Sequence, residues 1–129
     1  MARLYHVEVA RHAAETDVKW IDNLLSHFDI PGVEGGRQGV ARKISRDGVR
    51  HIALIRRLNR DLRVPVSHAA AIATRLLAGE SARAIVGSGL ELHIDRLALD
   101  EEIDRRISEA VEASTLPRRG RPKRGVATA

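Results

Sequence analysis

The run from Ser45 to Leu62, SRDGVRHIALIRRLNRDL, restricts the fold more than any other part of the chain. Val49, Ile52, Ile55, Leu58 and Leu62 recur at the spacing of one helical face. Arg46, Arg50, Arg57 and Arg60 cluster on the opposite side. Ser45 is placed to cap this helix, and Gly48 in its first turn costs about 1 kcal/mol relative to alanine. So long an apolar stripe has to be covered by other elements, and the cover has to be aliphatic, because Tyr5, Trp20 and Phe28 are the only aromatics. A chain of 129 residues can bury roughly two-thirds of its unfolded surface. That is enough for one compact domain, a small accessory unit and a loose end. There is no cysteine, which excludes disulfides and sulfur metal sites and fits a reducing compartment.

The flanking segments supply the cover. HVEVARHAAETD places Val7, Ala10 and Ala14 on one side of a first helix. Thr16 or Asp17 then caps a second, DVKWIDNLLSHFD. In projection Val18, Trp20, Ile21, Leu24, Leu25 and Phe28 share one arc of it, and Lys19, Asp22, Asn23, Ser26 and His27 share the other. IPGVEGGRQG is too glycine-rich to be regular, and VARKI reads as a short strand, so a β-wing is expected between helices. Pro65 ends the long helix, Ser67 caps HAAAIATRLLAG, and Gly79 ends that. Leu90, Leu92 and Ile94 then alternate with Glu91, His93 and Asp95, the pattern of a strand with one wet face, and Gly87-Ser88-Gly89 provides a hairpin turn. A last helix is expected from Asp100 to about Ser114, with a narrow seam of Ile103, Ile107, Ala110 and Val111. An isolated ribbon is marginal in water and a narrow seam wants another helix. Residues 82–115 are therefore expected either to dimerise or to pack back on the first domain.

Charge is distributed unevenly. Residues 1–63 are net basic and 64–116 net acidic. The tail, 117–129, has five cations and no acid, so it supplies the whole formal charge of +5. Basic ends around an acidic middle point to a polyanion partner. No leader sequence and no apolar run of membrane-spanning length is visible, so the expectation is a soluble, cytoplasmic protein with no membrane partner. The histidines at 6, 12, 27, 51, 68 and 93 lack metal-ligand spacing, and neither GGRQGV nor GSGLE continues as a phosphate loop. No residue argues for catalysis, a cofactor, a metal or a small-molecule ligand.

Taken in order, Thr16, Trp20, Ile30-Pro31, Gly35-Gly36-Arg37 and Arg42-Lys43-Ile44-Ser45-Arg46-Asp47 resemble the winged helix-turn-helix of MerR and excisionase proteins. The resemblance covers residues 4–77. Trp20-Ile21-Asp22-Asn23 stands where MerR regulators have L-R-Y-Y, so the excisionase-like branch is the closer comparison. It implies a mainly α fold, a winged helix-turn-helix with a small β-hairpin and a C-terminal helix. It also implies double-stranded DNA as partner, with Thr16 in the recognition helix. A helix of about a dozen residues is ~18 Å long and fits a major groove ~12 Å wide. Lys19, Asn23, Ser26 and His27 are side-chain types that read base edges there. Arg37, Arg42 and Lys43 of the wing, with Arg46 and Arg50, would hold phosphates, which gives position and not sequence.

The tail adds a second element. Arg119-Gly120-Arg121-Pro122, preceded by Arg118 and followed by Lys123, resembles an AT-hook. Glycine lets the backbone sink into a narrow minor groove, proline keeps it extended, and arginines line the A·T-rich floor. The bland alternative is a basic tail for any polyanion. The expectation is thus a nucleoid-associated, sequence-specific DNA-binding regulator, dimeric and not an enzyme. It would comprise a DNA-binding domain (1–78), a hairpin-plus-helix dimerisation unit (79–116) and a basic tail (117–129). Two other roles compete: an architectural, excisionase or packaging protein, and a protein-interaction adaptor using the acidic middle.

Overall fold

The computed structural model describes residues 3–36, 40–79 and 82–115. The chain is mainly helical with a small antiparallel sheet. Strand β1 (Leu4–Tyr5) leads into α1 (Val7–Ala14) and α2 (Val18–His27). A hairpin of β2 (Val33–Glu34) and β3 (Lys43–Ser45) follows, then α3 (Arg46–Asp61) and α4 (Val66–Ala78). A second hairpin, β4 (Arg83–Gly87) and β5 (Leu90–His93), leads to α5 (Arg96–Thr115). The first sheet has the order β1-β3-β2. Tyr5 and Val33 flank Ile44 in register, and Ile44 is fully buried.

Helix α3 is the axis of the core. Val49, Ile52, Ile55 and Leu58 are buried, and so are Ala53, Leu54 and His51, because α1, α4 and α5 all pack on it. The buried imidazole is satisfied locally: His51 Nδ1 donates to the Asp47 carbonyl at 2.9 Å. Ser45 caps the helix as expected, its Oγ accepting from Gly48 N–H at 3.1 Å. Leu62 departs from the stripe. It lies just past the helix at 58 % exposure, since the chain turns there toward Pro65.

Gly32 and Gly48 meet where the turn after α2 touches the start of α3. The Gly32 carbonyl accepts from Ser45 N–H at 2.8 Å. A Cβ on Gly48 would lie 2.8 Å from that same oxygen and from Ile44 Cγ2. A Cβ on Gly32, whose φ is +88°, would lie 2.5 Å from both Gly48 N and Ser45 Oγ. The apparent propensity cost of Gly48 is thus the condition for close approach.

Several boundaries differ from the sequence reading. The strand in VARKI begins only at Lys43, and Val40 is exposed. β1 went unforeseen because two residues show no alternation. Ser67 does not cap α4, which starts at Val66 with no side-chain cap; Pro65 sits at the boundary and Ser67 is exposed within the first turn. α5 starts earlier than Asp100, with the Asp95 carboxylate accepting from Ala98 N–H at 3.0 Å. Arg96 then donates to the carbonyl of Leu76 at 2.8 Å and to that of Gly79, closing the end of α4.

The α5 seam is occupied by its own chain. Leu99, Ile103 and Ile107 are buried, and Ala110 and Val111 pack beside them, against α1 and α3. One apolar core therefore runs across residue 79 without a break. In the second hairpin Ala84 and its cross-strand neighbour Leu92 face this core. Leu90, expected on that wet-and-dry pattern to be covered, is 63 % exposed.

At the second helix the cap is Asp17, whose Oδ1 accepts from Trp20 N–H at 2.7 Å. Asp17→Ala is expected to cost about 1 kcal/mol, seen as a fall in Tm of roughly 3–5 °C.

Candidate nucleic-acid interface

The polar arc of α2 forms as its periodicity requires. Ile21 and Leu24 are buried, while Lys19, Asp22, Asn23, Ser26 and His27 are exposed. Two of these side chains are tied back to their own helix. Ser26 Oγ donates to the Asp22 carbonyl at 2.7 Å. His27 Nδ1 lies 2.8 Å from the Asn23 carbonyl; a carbonyl only accepts, so Nδ1 is the donor there. Lys19 and the Asn23 amide have no hydrogen bond or ion pair to any described residue and are available to a ligand.

Thr16 does not belong to this surface. Its Oγ1 is enclosed with no hydrogen-bond partner among the described residues; Asp17 takes the cap and Thr16 sits at the bend between α1 and α2.

Arg42 is also not the free phosphate contact that the sequence suggested. Its Nη1 donates to Asp22 Oδ1 at 2.7 Å, its side chain is only 19 % exposed, and its stem lies across Gly36. The bond clips the β2–β3 hairpin to the exposed side of α2 and neutralises Asp22, the one acid on the arc. Lys43 is exposed on the same hairpin. Arg37 lies outside the described residues.

Arg46 and Arg50 point elsewhere. Arg46 makes paired hydrogen bonds to Asp104, at 2.6 and 3.1 Å. Arg50 donates to Asp100 and Asp47, both at 2.8 Å, with its side chain 12 % exposed. Next along α3, Arg57 pairs with Glu102 at 2.8 Å, and Arg106 bridges Glu102 and Glu15. The acidic face of α5 thus covers the basic face of α3. Sequence gave a signal in the opposite charges of the two helices, but not their docking. Hydrogen bonds from Arg57, and then Arg106, hold the Glu102 carboxyl below its usual range against the penalty of partial burial. A group with a depressed folded-state pKa adds stability above its unfolded value and loses it as pH falls through the folded one. Tm is therefore expected to drop on acidification below about pH 4.5, and Glu102→Gln should remove part of that drop.

All 17 acids precede Pro117 and face an equal number of cations, so the fold is formally neutral and the tail carries the +5. The hook-like residues Arg118, Arg119, Gly120, Arg121, Pro122 and Lys123 lie outside the described residues. Among the described residues no group of His, Asp or Glu is placed to hold a metal ion, and no helix is long and apolar enough to cross a membrane. The chain has no significant match to any protein-family model, curated protein or solved structure.

Proposed function

We propose that this chain is a sequence-specific DNA-binding protein acting in transcriptional control, with residues 1–78 forming a winged helix-turn-helix domain of the MerR/excisionase kind. The observation that carries this reading is the exposed arc of α2 with a hairpin fastened along it through Arg42 and Asp22. The order β1, α1, α2, hairpin, α3 and the central place of β3 in its sheet support it. A helix of ten residues is about 15 Å long, and the major groove is ~12 Å wide.

In this reading α2 enters the major groove. Asn23 reads adenine through N6 and N7, Lys19 donates to guanine, His27 Nε2 contacts a neighbouring edge, and Ser26 Oγ, whose proton goes to the Asp22 carbonyl, accepts from one. Lys43 and Arg37 hold phosphates from the hairpin. Arg46 and Arg50 brace α5 and take no part. The tail reaches an A·T-rich minor groove beside the same site, adding affinity through tethering.

Selection from a random duplex pool tests this. The full chain should enrich a defined sequence, and Asn23→Ala should relax one base position by about 5- to 150-fold. Lys43→Ala should weaken all sequences alike. A pool that returns without enrichment at any position excludes base reading by α2. The confinement of net charge to the tail favours a second reading, an architectural DNA protein. That role predicts occupancy of many adjacent sites with bending of the duplex, where a regulator protects one or a few.

A further inference from the structure

We infer that the outer edge of β5 is the interface between two copies of this chain, paired antiparallel about Leu92. Among the described residues β4 and β5 form a sheet of two strands, which leaves open edges. The β4 edge is interrupted by an irregularity between Ile85 and Gly87, a device that discourages pairing. β5, Leu90–His93, has no such break and no lysine or proline.

The direction of the main-chain groups follows from the ladder. Ile94 donates its N–H to the Ala82 carbonyl at 3.1 Å, so residue 94 and, by alternation, Leu92 turn theirs toward β4. Glu91 and His93 then turn theirs outward. Both residues are exposed.

The segment Leu90-Glu91-Leu92-His93-Ile94 is complementary to itself when reversed about its centre. A second copy with Leu92 opposite Leu92 brings Glu91 against His93 of the other copy, as a pair that exchanges both main-chain bonds. It also brings the exposed Leu90 against the half-buried Ile94. Both faces of the joined sheet match: carboxylate beside imidazole on one, aliphatic beside aliphatic on the other. Arg83, across from His93 in its own sheet, adds a cation to the end that receives Glu91. Such self-matching is what a two-fold interface demands, whereas a strand from a different protein would demand no symmetry in this segment. The α5 seam takes no part, being already covered.

Sedimentation equilibrium of the full chain, from micromolar to sub-millimolar concentration, tests the pairing. The chain should sediment as a dimer. His93→Pro removes an outward N–H where proline is tolerated, and should give a folded monomer whose Tm no longer depends on concentration. Glu91→Lys replaces the carboxylate by a cation beside Arg83 at both ends of the pairing and should weaken dimerisation about tenfold or more. Glu91→Lys combined with His93→Glu reverses the pair and should restore it. A wild-type chain at the mass of one copy throughout overturns the proposal and leaves the edge to a foreign strand. So does an unchanged dimer constant in Glu91→Lys, or a double variant no tighter than the single one.

Discussion

A chain ending at Leu116 is expected to bind duplex DNA about 10²- to 10³-fold more weakly than the full chain near physiological salt, with a markedly shallower salt dependence. The reason is arithmetic. The tail holds all of the formal +5, and the rest of the protein balances its 17 acids with as many cations. Each phosphate neutralised contributes a slope of about −0.9 in log K against log salt. Contact by four or five tail cations should therefore separate the two slopes by about 4. The folded part opposes this loss only weakly, because Arg42, Arg46 and Arg50 are held by Asp22, Asp104 and Asp100. The hook reading adds a second expectation: the loss should be larger on a site flanked by A·T pairs than on one flanked by G·C, where the guanine amino group fills the groove floor. Equal losses on both flanks would reduce the tail to a general polycation. Fluorescence anisotropy on the two duplexes, across a salt series, reads both quantities.

The largest effect on stability is expected at the Gly32–Gly48 contact. Alanine at an ordinary helical position gains up to about 1 kcal/mol over glycine, so Gly48→Ala has a favourable propensity. The contact reverses the sign. A Cβ at 2.8 Å from the Gly32 carbonyl meets main chain, which cannot swing aside as a flexible side chain would. At Gly32 the positive φ adds strain to a still closer approach, and the displaced Ser45 Oγ would also lose its cap on α3. Gly32→Ala is expected to cost about 3 kcal/mol, a fall in Tm of roughly 10 °C, with Gly48→Ala somewhat less. Thermal denaturation of the two variants checks both. A neutral or raised Tm would mean that the turn and helix start can separate freely. The hairpin's placement along α2, and with it the proposed groove geometry, would then lack its anchor.

The helices were legible because their apolar residues keep a strict period. Ile21 with Leu24, and Val49 through Leu58, became buried stripes as the spacing required. The Ser45 cap was legible for the same local reason. What escaped was set by tertiary contact. β1 exists only because β3 offers it a partner. Helix α5 begins at Arg96 because Asp95 caps it, while the cluster of acids from Asp100 looked like a first turn and instead serves α3. The exposed arc of α2 was legible as a surface, down to the identities of Lys19, Asn23, Ser26 and His27. The arginines were not, since an arginine's partner can lie tens of residues away: Arg42 answers to Asp22, and Arg46 to Asp104. Thr16 showed the same limit at short range, losing the cap to its neighbour.

The most direct test of DNA reading by α2 is an NMR titration of the isotope-labelled full chain with the duplex it selects. The Asn23 side-chain amide, the backbone of Lys19 and Ser26, the His27 ring and the hairpin around Lys43 should shift together and saturate at one stoichiometry. Shifts restricted to residues after Leu116, with α2 unmoved, would contradict the account.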